Sequence, residues 1–93
     1  MKTYAKLIAQ ADTVATVLAD CKAGDKVTVK RAGKETDYTC GQDTPFGHKI
    51  AVTEMKKGDS VIKYGEKIGV ATKEIKVGDW VHVHNVLDVY VCV

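Results

Sequence analysis

Glu74-Ile75-Lys76-Val77-Gly78-Asp79-Trp80-Val81 reads acid, apolar, Lys, any residue, Gly, Asp, any residue, Val. The same frame stands at Asp20-Cys21-Lys22-Ala23-Gly24-Asp25-Lys26-Val27 and again at Glu54-Met55-Lys56-Lys57-Gly58-Asp59-Ser60-Val61. Each frame predicts a tight turn in which glycine takes a positive φ, an Asp sits beside it, and a strand starts near the Val. The three copies are unequally spaced along the chain, which argues against a solenoid, where repeats keep a fixed period. They are read as a recurring structural corner, not as chemistry.

Between the corners the chain reads as short strands. Lys26-Val27-Thr28-Val29-Lys30 alternates polar and apolar, as a half-exposed strand does. Tyr4, Leu7 and Ile8 suit a first strand, and the β-branched residues of Val14-Ala15-Thr16-Val17-Leu18 favour strand over helix. Asp12-Thr13 ahead of them is a turn or a helix N-cap. Residues 31–44 are polar and rich in Gly, Thr and Asp, and are expected to form a loop or hairpin tip ended by Pro45. Val61-Ile62-Lys63-Tyr64-Gly65 and Ile68-Gly69-Val70-Ala71 are short apolar pieces broken by glycines, and the run from Val86 to Val93 again has strand composition. No long amphipathic helix is present in this pattern, so the fold class is mainly β, a single domain over residues 1–93.

Composition narrows the function classes. A chain of 93 residues has room for one core and buries roughly 65% of its unfolded surface. The balance of 14 basic and 12 acidic residues, scattered along the chain, argues against a nucleic-acid surface. Arg31 is the single arginine, so a bidentate clamp on a carboxylate would have to use lysines or another chain. Cys21, Cys40 and Cys92 are widely spaced and form no Cys-x-x-Cys pair. They are read as reduced thiols in a cytoplasmic protein. Lys6, Gln10 and Asp12 interrupt the N-terminal apolar patches, so neither export nor a membrane span is expected.

The three histidines are the candidate chemistry. In an extended Trp80-Val81-His82-Val83-His84-Asn85, His82 and His84 share one face about 6 to 7 Å apart, with Val81 and Val83 on the packed face. Such a pair can converge on a divalent ion or act as acid and base on one substrate. The alternative is two polar side chains on a wet strand face. Asn85 beside them offers a neutral hydrogen-bonding group for a hydroxylated substrate. His48 and Lys49 follow a Pro-Phe-Gly turn, a usual address for functional side chains, or else the glycine only shapes the turn and His48 is a surface residue. Lys63-Tyr64-Gly65 brings an ammonium and a phenol to a flexible joint, or else a lysine stem and a half-buried tyrosine.

Gly47-His48-Lys49-Ile50-Ala51, Lys63-Tyr64-Gly65 with Ile68-Gly69 and Ala71-Thr72, and Gly78-Asp79-Trp80-Val81-His82-Val83-His84-Asn85 resemble, in this order, the N-terminal module of the altronate and galactarate dehydratase family. Asp12-Thr13-Val14-Ala15 resembles its opening motif, and residues 28–44 match least. The resemblance implies a SAF-type β-clip domain of short bent hairpins, here in the form of a separate small subunit. It implies a large catalytic dehydratase subunit as partner, a sugar acid as substrate, and a divalent metal, iron(II) or alternatively manganese(II). On it His48, His82 and His84 are candidates for proton transfer, with His82, His84 and also His48 as metal ligands. Lys49, Lys63, Tyr64 and Asn85 become candidates for substrate binding. A sulfolactate sulfo-lyase small subunit is the alternative within the same chemistry, and a non-catalytic carbohydrate- or metal-binding module the alternative outside it. The module is expected to be inactive alone and to leave its histidines exposed, with a homo-oligomer in isolation left open.

Overall fold

The computed structural model describes residues 3–31 and 33–88. Among these described residues are nine strands: β1 (Thr3–Lys6), β2 (Val14–Val17), β3 (Lys26–Arg31), β4 (Lys34–Thr39), β5 (Lys49–Ala51), β6 (Ser60–Lys63), β7 (Glu66–Ala71), β8 (Trp80–Val81) and β9 (Val86–Asp88). They form a six-stranded sheet in the order β4-β3-β1-β2-β5-β8 and a three-stranded sheet β6-β7-β9. No helix among the described residues is long and apolar enough to cross a membrane. Two apolar clusters fill the interior, one around Val17, Val27, Val29 and Ile50, the other around Met55, Val61, Ile75 and Val81.

The three Gly-Asp frames are corners of one design. Gly24, Gly58 and Gly78 have φ of +92°, +94° and +93°. Each corner's Asp closes the turn with its carboxylate, which accepts from the backbone N–H of the Lys three residues earlier: Lys22 to Asp25 at 2.9 Å, Lys56 to Asp59 at 2.8 Å, Lys76 to Asp79 at 2.9 Å. The residue before that Lys is buried in each case, as Cys21, Met55 and Ile75.

A fourth corner has the same backbone and different side chains. Thr44-Pro45-Phe46-Gly47-His48 repeats the turn, with Gly47 at φ +84°. Pro45 stands where the others have Lys and has no N–H to be capped. The residue after the glycine is thereby released from closing the turn, and it is His48 rather than Asp.

The corners pair reciprocally. Cys21 bridges Thr44, and Met55 bridges Ile75. Within each pair, one corner grips the strand leading into the other: Gly24 N–H donates to Cys40 and Gly47 N–H to Val17, while Gly58 N–H donates to Ala71 and Gly78 N–H to Ala51. Asp43 accepts from Ala23 N–H at 3.0 Å and Asp20 from Phe46 N–H at 2.7 Å, a swapped pair across the first of these local two-folds. Bent hairpins clasped in this way account for the compactness of a chain with strands of only two to six residues.

Two expectations need correction. Residues 31–44 are not a loop throughout: β4 pairs with β3 along its whole length, from Arg31↔Lys34 to Lys26↔Thr39. Its polarity follows from its place at the sheet edge, where charged side chains meet water and discourage pairing with another chain. Nor is Trp80 to Asn85 one strand. β8 ends at Val81 and residues 82–85 turn, because the Asn85 carboxamide accepts from His82 N–H at 2.9 Å and donates to the Trp80 carbonyl at 2.9 Å. Val83 accordingly is 82% exposed instead of packed. Asp12-Thr13 form a turn, not a helix cap, and the residues of the closing run beyond Asp88, with Cys92, lie outside those described.

Candidate functional site

The fourth corner, β8 and the turn after it meet at one edge of the larger sheet. Register pairs Lys49 with Val81 and Ile50 with Trp80, which sets His48, at the start of β5, beside Trp80 and His82. The Trp80 indole N–H donates to His48 Nδ1 at 3.2 Å. The His48 and His82 ring centroids are 4.9 Å apart. His82 stacks on Trp80 at 5.5 Å with ring planes 9° apart, and His84 lies against the same indole at 5.2 Å. All three histidines therefore surround one tryptophan. His84 is exposed as expected, whereas His48 and His82 are half-buried.

Trp80 is fixed in turn by its backbone, whose N–H donates to Gln42 Oε1 at 2.9 Å. Neither Trp80 as the hub nor Gln42 as its brace stood out among the sequence candidates. A signal for the hub did exist in Pro45-Phe46-Gly47-His48, a corner frame with its capping pair replaced. Asn85 does not reach the surface at all. It is 3% exposed, and both ends of its amide hold the turn that carries His82 and His84.

Lysines flank the histidines. Lys49 lines an open cleft of about 180 Å³ with His82, Val81 and Val86. A second cleft, of about 270 Å³, is bordered by Lys6, Thr16, Lys63 and Tyr64. Among the described residues no carboxylate lines either cleft, and the charged side chains that do are lysines. Burial, and then the Lys63 charge, lower the pKa of Lys49 from the usual lysine value. Burial also lowers that of His82, helped by charge on His48, Lys49 and His84, which favours the neutral imidazole.

Lys63 and Tyr64 owe their position to Asp12. Tyr64 has φ +57°, and the Lys63 ammonium lies 4.8 Å from the centre of its ring. The buried Asp12 carboxylate accepts from Gly65 N–H at 2.8 Å, pinning this hairpin turn, and from Ala9 N–H at 3.1 Å, pinning the loop after β1. Burial pushes the Asp12 pKa up, but the amides of Gly65, Ala9, Tyr64 and Ile8 outweigh it and hold the carboxyl below its ordinary value.

A complete metal site is not formed by these groups. Among the described residues no three His, Cys, Asp or Glu side chains are grouped to hold an ion, and Nδ1 of His48 is already engaged by an N–H. Cys21 and Cys40 are buried free thiols remote from such use, and burial, followed by the nearby Cys40, pushes Cys21 up to about 11.

The family profile described as "Altronate/galactarate dehydratase SAF domain" matches residues 4–88. The chain belongs to the altronate/galactarate dehydratase SAF-domain family. It is 45% identical to altronate dehydratase of Escherichia coli K12 over 74 residues, which are 80% of this chain and 14% of that enzyme. It is 36% identical to the Bacillus subtilis altronate dehydratase over 85 residues, 91% of this chain and 16% of the enzyme. The chain thus spans only about a sixth or less of these relatives. Against the (2R)-sulfolactate sulfo-lyase subunit alpha of Chromohalobacter salexigens, identity is 33% over 78 residues, 81% of this chain and 83% of that subunit. The mainly β architecture expected of a SAF domain is the one observed.

Proposed function

We propose that this SAF domain is the small, histidine-bearing component of a two-component sugar-acid dehydratase and acts with a large catalytic chain. The observation that carries the proposal is the cluster of His48, His82 and His84 around Trp80, bordered by Lys49 and Lys63 in clefts without a carboxylate. In this reading Lys49 and Lys63 attract and neutralise a substrate carboxylate. Neutral His82 takes the proton from the carbon α to that carboxylate, the β hydroxyl leaves with a proton as water, and the resulting enol becomes a 2-keto-3-deoxy acid. Positive charge beside the carboxylate stabilises the enolate that builds up on it. A divalent ion, iron(II) or manganese(II), enters with donors from the catalytic chain, because the described residues of this chain hold no complete set.

Reconstitution with the large chain tests this. Altronate should give keto acid only when both chains are present, and His82→Ala should lower kcat by about 100-fold or more. Unchanged turnover in that variant overturns the role of the cluster. Elimination of sulfite from sulfolactate is the second reading. It is favoured by the sulfo-lyase alpha subunit, 83% of which the chain covers. Sulfite release without keto-acid formation from altronate would select it.

A further inference from the structure

We propose that His48 serves as a hydrogen-bond donor to an anionic oxygen through Nε2–H, and that Trp80 is the positioning residue that holds it in this form. An indole N–H can only donate. With Trp80 Nε1 at 3.2 Å from His48 Nδ1, Nδ1 must offer its lone pair, and the proton of the neutral ring sits on Nε2. A histidine that ligates a metal through one nitrogen almost always donates from the other to a carboxylate, carbonyl or water. His48 has the opposite arrangement, since its other nitrogen receives a hydrogen bond. Ligation or base action at Nε2 would require the proton to move to Nδ1 and break the Trp80 contact.

The surroundings fit a donor. Pro45 has removed the turn-closing task from position 48, so the imidazole is not used by its own corner. The indole that fixes it is itself held by Gln42 Oε1 on its backbone N–H and by Asn85 Nδ2 on its carbonyl. Lys49, next in the chain, lines a cleft with His82, whose ring lies 4.9 Å from that of His48. An N–H donor at an edge that also carries a lysine suits a carboxylate, sulfonate or sulfate oxygen. The assignment deepens the function proposed above and rests on it only for the identity of the anion, a substrate carboxylate.

Nitrogen NMR of the 15N-labelled chain at neutral pH tests it without any partner. His48 should show a protonated Nε2 and an unprotonated Nδ1, and the Trp80 indole proton should exchange slowly with water. Inorganic sulfate should shift the His48 Nε2 signal. His48→Ala should weaken sulfate binding about fivefold or more, whereas His48→Gln, whose amide N–H reaches the place of Nε2, should retain most of it. Trp80→Phe should let the His48 proton distribute over both nitrogens. Zinc(II) should leave the Trp80 indole signal unmoved. A proton on Nδ1, zinc-induced loss of the Trp80 contact, or sulfate binding in His48→Ala equal to that of the unaltered chain overturns the assignment. If Trp80→Phe does not fold, the His48 variants and the zinc titration still decide. A chain that passes these tests yet never supports dehydration overturns the function above and not this one.

Discussion

Asp12 shows how a single buried charge can serve a distant site. Its carboxylate stands beneath two segments far apart in sequence, the loop after β1 and the Tyr64-Gly65 turn. Removing it leaves several amides without an acceptor, so Asp12→Ala should cost about 2 kcal/mol at neutral pH. The pKa is lowered in the folded chain, so the stabilisation is present above the unfolded value of 3.8 and disappears as the pH falls through the folded one. Urea unfolding at pH 7 and again in acid should therefore show the gap between Asp12→Ala and the unaltered chain closing on acidification. A gap that persists in acid would mean that the loss is one of packing. Sequence alone offered a turn or a helix N-cap at Asp12 but not this reach, because hydrogen bonds spanning 53 residues leave no local pattern.

At the level of the element, the corner is the repeated unit, and its side chains divide by task. Asp59→Ala removes a turn-closing carboxylate on the surface and should cost about 1 kcal/mol, as loss of a helix N-cap does. Gly78→Ala is a harsher change. At φ +93° a side chain is strained, and a Cβ there would lie 2.1 Å from the Thr39 carbonyl oxygen. By contrast Gly58, at φ +94°, has open space around the same atom. Thermal unfolding should thus rank Gly78→Ala well below Gly58→Ala, which bears only the left-handed penalty of about 1–2 kcal/mol. Equal losses would show that backbone conformation alone governs the corner. Three of the four corners were legible because Lys, Gly and Asp recur at fixed places. The fourth was hidden because Pro and His replaced the pair that makes the pattern visible.

Across the whole molecule, the class of fold was readable from strand-like runs and glycine turns, and the family order of motifs extended that reading to the candidate site. Less was readable where context overrides local pattern. Residues 34–39 looked too polar for a strand because an edge strand in water has no apolar face to display. Residues 82–85 looked like a strand because alternation of His and Val carries no trace of the Asn85 amide that bends them. The site itself is a product of topology: β5 and β8 meet only through the sheet order, so histidines 34 residues apart share an edge that no short window contains.

Trp80 is the only tryptophan of the chain, and it touches all three histidines. The molecule therefore carries its one indole fluorophore at the proposed site. An imidazolium quenches indole emission more strongly than neutral imidazole does, and an anion or a partner chain that seats on the cluster alters the polarity around the ring. Emission should respond to such ligands in the unlabelled protein, and His82→Ala, which removes the stacked ring, should brighten it most in acid, where that imidazole is charged.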